Sequence, residues 1–362
     1  MKIARPAAEW RPSRRLDALP GYGRGRAGQT IPFRHRLGSN EAPDAGGAGR
    51  AEAALQAADA IHRYPDLRGE TLAAALSQRH GIGSDCVAVA AGSVVLLDQL
   101  IRAACDPGDE IVTPWRSYEA YPIIAGLSGA RLVEVPPDAA HTADPAAILA
   151  AVGSRCRVVL VCNPNNPTGT ALDDDAIDGL LGRIPGDRLV ILDEAYVDYA
   201  ADAAEVAARP ARRLARHPNL AVLRTFSKAW GLAGARVGYC LAAPQIIAAV
   251  QAVAPPFPLP GPSVALALAA LADPGAVAAR VGRNAAERAR MTAGLEALGL
   301  PVARSRGNFV WLPVGADARP LTDHFARASI AVRCFEGEGV RITTGTPADT
   351  DAVLAAARAW RG

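Results

Sequence analysis

Seven short apolar runs punctuate the chain between Cys86 and Ala242: "CVAVAAG", "DEIVTP", "ARLVEVP", "RVVLVCNP", "RLVILDEAY", "LAVLRTFS" and "ARVGYCLA". Hydrophobicity within them is continuous rather than alternating, so each strand is built to be buried on both faces. Helical stretches separate the earlier runs, through "VVLLDQLIRAAC" and "SYEAYPIIAGL" and from Asp144 and Asp173. This pattern predicts an α/β fold with a mostly parallel sheet between helices. Ligands of such sheets sit outside the carboxyl ends of the strands. The polar clusters "AAGS", "CNPNNPTG", "LDEAYVDY" and "RTFSK" all fall at those ends and are expected to converge on one site.

The flanks read differently. Residues 1–40, rich in Pro, Gly and Arg, are expected to form an N-terminal arm, and 41–253 the large domain. The proline-rich "APPFPLPGP" at 254–262 reads as a hinge into a smaller α+β domain over 254–362. At 362 residues the chain fits one large unit plus a smaller one.

Composition excludes several classes. A net charge of +3, without aromatics interleaved among basic residues, argues against a nucleic-acid partner. There is no apolar run long enough for a membrane span, and "MKIARPAAEWRPSRRLD" lacks the apolar core of a signal peptide. The six cysteines are scattered, with no Cys-x-x-Cys pair, which indicates neither a disulfide framework nor a metal site. A reducing cytoplasm is the expected location.

Of the 39 basic residues only Lys2 and Lys228 are lysine, which leaves 39 − 2 = 37 arginines. Coding bias explains an arginine-rich surface. A position that stays lysine is then one where guanidinium cannot substitute, because only an ammonium loses its proton on desolvation and attacks a carbonyl. Lys228 is therefore a candidate amine nucleophile.

The residues around it suit a carbonyl cofactor carrying a phosphate, an aromatic ring nitrogen and a ring hydroxyl. Gly92, Ser93 and Val94 open a helix whose N–H groups could take the phosphate, with Ser227 and Arg236 alongside. Asp193, ending "LVIL", is placed to keep a ring nitrogen protonated. Asn163 and Tyr196 could meet the ring hydroxyl, and Tyr118 could stack. Singly, each has a plainer reading: a strand-end turn, a helix cap, an ion pair or a packing ring. Their order and their placement at strand ends favour the joint reading.

Taken together, "CNPNNPTG", "DEAYVDY" and "TFSKAWGLAGARVGY" resemble the signature of fold-type I pyridoxal-phosphate aminotransferases. "LPGYGRGR", "LGSNEAP", "HRYPD" and "VRCFEGEGVRITTGTP" narrow the resemblance to the histidinol-phosphate aminotransferase branch. "GSVVLLDQL", "PWRSYEAYP" and "NFVWLP" look closest to its actinobacterial aromatic or phenylalanine aminotransferase-like members. The resemblance implies the aspartate aminotransferase-like fold, with a seven-stranded sheet in the large domain. It implies a Schiff base between Lys228 and pyridoxal 5'-phosphate, Asp193 at the ring nitrogen, Asn163 and Tyr196 at the ring hydroxyl, and Tyr118 stacked. Gly92, Ser93, Val94, Ser227 and Arg236 would hold the phosphate. Arg341 would grip the substrate carboxylate, with Asn40 and Asn163 nearby, and Tyr22 and Arg333 would meet the far end of the substrate. Tyr64 would reach the neighbouring subunit's cofactor, which implies a homodimer with shared sites. The implied partners are a small amino donor, histidinol phosphate or an aromatic amino acid, and a 2-oxo acid such as 2-oxoglutarate.

The chain departs from the pattern at "APDAGG" (Ala42–Gly47), at Val94, where the family carries an acidic residue, and at the hinge "PFPLPGP". These leave the amino donor open. A decarboxylase, aldolase-like or oxidase reaction on the same scaffold is the alternative. A nucleotide-hydrolysing switch fails, because Lys228 is followed by Ala229 and no phosphate-loop motif exists. A transcription regulator would need a DNA-binding module ahead of the domain, and the Pro/Gly-rich first 40 residues do not read as one.

Overall fold

The computed structural model describes residues 19–20, 33–44 and 49–361. Tyr22, most of the expected arm and part of the "APDAGG" stretch lie outside the described residues. In chain order the strands are β1 (His35–Arg36), β2 (Val87–Ala90), β3 (Glu110–Pro114), β4 (Arg131–Val135), β5 (Cys156–Cys162), β6 (Leu189–Asp193), β7 (Leu220–Thr225), β8 (Gly238–Ala242), β9 (Phe309–Leu312), β10 (Ile330–Ala331), β11 (Arg333–Phe335) and β12 (Gly339–Thr343).

The seven apolar runs become β2 to β8, in one sheet ordered β2-β8-β7-β6-β5-β3-β4. Strands β3 to β7 are parallel, whereas β8 runs antiparallel to both β7 and β2. The reversal has a local cause. The link from β7 to β8 holds only the 3-10 turn Ala233–Ala235, and without a crossover helix the chain must double back. The start of β8 thus shares a sheet edge with the ends of β2 and β7.

Continuous hydrophobicity meets two cores. Val159, Val161, Val190, Leu192 and Val222 enter one, and Val158, Leu160, Ile191, Ala221 and Leu223 enter the other. Helix starts follow the expected caps: Asp144 accepts from the N–H groups of Ala146 and Ala147, and Asp173 from that of Ala176.

A third core lies under the antiparallel sheet β11-β12-β9 and the helices Ala318–Arg327 and Pro347–Arg361. The proline-rich stretch at 254–262 does not itself divide the cores. Leu259, Ala267, Ala270 and Val277 join the first core, whereas Met291 and Leu295 join the third. The 24-residue helix Pro274–Ala297 carries Val277, Met291 and Leu295, and so spans both. Leu37 also enters the third core, after β1 pairs in parallel with β10. Among the described residues no single helix is long and apolar enough to cross a membrane.

Candidate active site

The polar strand ends border one cleft of ≈ 400 Å³, and Val332, Arg333 and Arg341 close it from the small sheet. That volume lies in the range of small-molecule sites, roughly 300–1,000 Å³.

At one end, β2 turns into the helix Ser93–Ala104 through Gly92, whose φ of 94° favours glycine. A Cβ there would lie 2.6 Å from Arg236 Nη2, and one on Gly238 would lie 2.1 Å from the Ser93 nitrogen. Gly238 is what lets the β8 edge press against the helix start, because the atoms it would meet are backbone. Ser227 Oγ accepts from Thr225 Oγ1 at 2.9 Å and from Arg236 Nη1 at 3.4 Å. Gly92, Ser93, Val94, Ser227 and Arg236 therefore meet at one end of the cleft: helix N–H groups, a hydroxyl and a guanidinium, the donor set of a phosphate site.

Asp193 is buried at the end of β6. Its Oδ2 accepts from the Tyr121 hydroxyl at 2.8 Å and its Oδ1 from the Ala195 N–H at 3.2 Å. Burial pushes its carboxyl above the ordinary value in spite of these donors. Such a group is stabilised by a cation placed against it.

Lys228 Nζ donates to the carbonyls of Ser39 and Asn40, each at 3.2 Å, and lies 5.6 Å from the centre of the Tyr196 ring. Burial, and then the nearby Arg341, depress its pKa to about 7. The amine is partly neutral at physiological pH, as a nucleophile or proton carrier requires. Tyr196 lines the cleft and its hydroxyl accepts from Asn40 Nδ2 at 2.9 Å. Tyr118 also lines the cleft, edge-on to Tyr121.

Several expected residues fall elsewhere. Asn163 does not line the cleft: its side chain accepts from the Leu172 N–H at 2.8 Å and donates to the Leu172 carbonyl at 3.1 Å. Asn166, three residues on, lines it instead and accepts from Arg341 Nη1. The turn carrying it is pinned by Asn165, which bonds Ser117, Thr168 and the Arg116 carbonyl. Asn40, with φ 55°, is not among the residues lining the cleft; it bonds the Tyr196 hydroxyl and is tied to Thr343. Arg341 is buried and also donates to the Gly38 carbonyl at 2.7 Å. Arg333 is buried, lines the cleft and donates to Glu119. Tyr64 lies apart from the cleft, 83% exposed and stacked on Phe257 at 4.5 Å.

Sequence reasoning missed Tyr121, Glu119 and Asn166. Tyr121 sits three residues after Tyr118, and its N–H donates to the Tyr118 carbonyl at 2.9 Å in the turn that leads into the helix. Asn166 is the asparagine directly before Pro-Thr-Gly. Nothing local marked Glu119.

A family model described as aminotransferase class I and II matches residues 35–357. An aromatic amino acid aminotransferase of Thermobifida fusca is 43% identical over 346 residues, 95% of this chain and 96% of that protein. One of Rhodococcus jostii is 41% identical over 343 residues, 94% and 93% of the two chains. The crystal structure of histidinol-phosphate aminotransferase from Sinorhizobium meliloti, in complex with pyridoxal-5'-phosphate, superposes with a TM-score of 0.89. It is 30% identical and covers 98% of each chain.

Proposed function

The chain belongs to the class I and II aminotransferases and is a pyridoxal-phosphate-dependent transaminase; from that premise we propose that its amino donor is an aromatic amino acid and its acceptor a 2-oxo acid such as 2-oxoglutarate. The observation that carries this reading is Arg341. It is a buried guanidinium at the cleft, held by Asn166 and Gly38 and close enough to depress the Lys228 pKa. A substrate carboxylate there would meet a fork that grips it with two N–H groups. The named activities of the relatives at 41% and 43% identity point to an aromatic side chain.

The residues present fit the cofactor. Gly92, Ser93, Val94, Ser227 and Arg236 would take its phosphate, and Asp193 would keep its ring nitrogen protonated. Asn166, rather than Asn163, and Tyr196 would face the ring hydroxyl, with Tyr118 on the ring face. Bound there, pyridoxal phosphate supplies the electron sink for charge left at the substrate Cα. Lys228 Nζ would hold the cofactor at rest and would carry the Cα proton in turnover. Arg341 fixes the carboxylate so that the proton faces that amine.

Two further parts belong to the same reading. The chain acts as a homodimer in which Tyr64 reaches the partner's site, supported by the exposed apolar patch of Tyr64, Leu67 and Phe257. A monomer in sedimentation velocity at micromolar concentration would remove this part. Its place is the cytoplasm, supported by six free cysteines; recovery in a secreted fraction would overturn that.

The substrate is tested by incubating the holoenzyme with 2-oxoglutarate and each amino donor in turn. Glutamate should form fastest with phenylalanine or tyrosine. Faster turnover of histidinol phosphate would sink the aromatic reading, and carbon dioxide or peroxide in place of glutamate would mean another reaction.

A further inference from the structure

Arg333 and Arg341 are direct partners across the antiparallel β11–β12 ladder. Residues so paired point to the same face, and both line the cleft. Their guanidinium carbons each lie 5.9 Å from the centre of the Phe335 ring. Two arginines side by side form a receptor for a doubly charged oxyanion, and a phosphate monoester carries about −1.5 to −2 at neutral pH.

This chain does not leave that receptor with its full charge. Glu119 enters from the other side, directly before the helix Ala120–Ser128 and next to the cleft residue Tyr118. Its Oε2 accepts from Arg333 Nε at 3.1 Å and Nη2 at 2.6 Å. Arg341 donates to the Asn166 amide and to the Gly38 carbonyl. Arg116, whose guanidinium is 5.7 Å from the same Phe335 ring, is itself paired with Glu338 and adds no net charge. Glu119 thus offsets the charge of one of the two guanidinium groups.

We propose that Glu119 is a specificity-determining residue: by occupying Arg333 it suits the cleft to substrates anchored by a single carboxylate and turns away those anchored by a phosphate monoester. The inference rests on the aminotransferase reading of the cleft and narrows it to amino acids over phosphorylated amino alcohols. A dianion reaching both arginines must displace Glu119 or sit against it, and like charges at close range are strongly disfavoured. A carboxylate needs Arg341 alone and leaves the Arg333–Glu119 pair intact.

The test uses two amine-free ligands that cannot react, 3-phenylpropionate and 2-phenylethyl phosphate, titrated calorimetrically into the holoenzyme. The unaltered protein should bind the carboxylate more tightly. Glu119→Gln should move the ratio of dissociation constants toward the phosphate ester by on the order of 10²-fold, and adding Arg333→Met should cancel that gain. An unchanged ratio in Glu119→Gln that still binds the carboxylate overturns the proposal. If that variant does not fold, the unaltered protein still decides, because preference for the phosphate ester there refutes the assignment. Glutamate formation from phenylalanine by the unaltered protein is measured in parallel. Its absence would sink the aminotransferase reading itself, whereas glutamate formation with an unchanged ratio sinks only the role of Glu119.

Discussion

The Tyr121 hydroxyl donates to Asp193 Oδ2 at 2.8 Å, and both residues are buried. The tyrosine comes from the helix Ala120–Ser128 and the aspartate from the end of β6, so the bond ties the second carboxylate oxygen to a helix outside the sheet. With the Ala195 N–H it is one of the two donors that oppose the pull of burial on that carboxyl.

Removing the hydroxyl should therefore weaken Asp193 without removing it. Tyr121→Phe is expected to raise the Asp193 pKa further and to lower kcat/KM by about tenfold, the scale of one buried hydrogen bond to a charged group. Asp193→Asn should cost on the order of 10²–10³-fold. Steady-state kinetics of both variants, with pyridoxal phosphate in excess, check the ranking; Tyr121→Phe as damaging as Asp193→Asn would contradict it.

The depressed pKa of Lys228 has a sign that can be measured. Protonation blocks the amine, so reactivity is low below the folded pKa and complete above it. In the apoenzyme, capture of pyridoxal phosphate by Lys228, trapped with borohydride, should rise through about 7 rather than through the ordinary lysine value of about 10.4. Arg341→Met should move the midpoint upward, because the Arg341 charge is the second cause of the depression. Lys228→Ala should show no trapped cofactor at any pH.

The two asparagines of "CNPNNPTG" should fail in different ways. Asn163→Ala removes both side-chain bonds to Leu172 and is expected to destabilise the fold by about 1–3 kcal/mol while leaving the KM for the amino donor near its original value. Asn166→Ala frees Arg341 from its amide partner and should raise the KM and lower kcat with a smaller change in melting temperature. Thermal melts paired with kinetics separate the two, and the reverse pattern would restore Asn163 to the site.

Much was legible in the chain itself. Continuous apolar runs called for strands buried on both faces, and hence a sheet between helices, because hydrophobic patterning is a local property; the edge strand β4 departs from this, with Arg131 and Glu134 exposed. The rarity of lysine singled out Lys228, which lines the cleft, as the candidate amine, since a guanidinium does not lose its proton. The polar strand ends do border one cleft, as expected where a parallel sheet opens its carboxyl edge to ligands. The tertiary structure alone decided which members of each motif face the cleft. Asn163 is consumed by the backbone of Leu172, so Asn166 takes its place. Asp193 gains Tyr121, and Arg333 gains Glu119, from distant parts of the chain. Arg236 meets Gly92 only because β8 reverses. A motif fixes the order of residues along the chain, but the direction of each side chain and the charge opposite it are set by elements that meet only on folding.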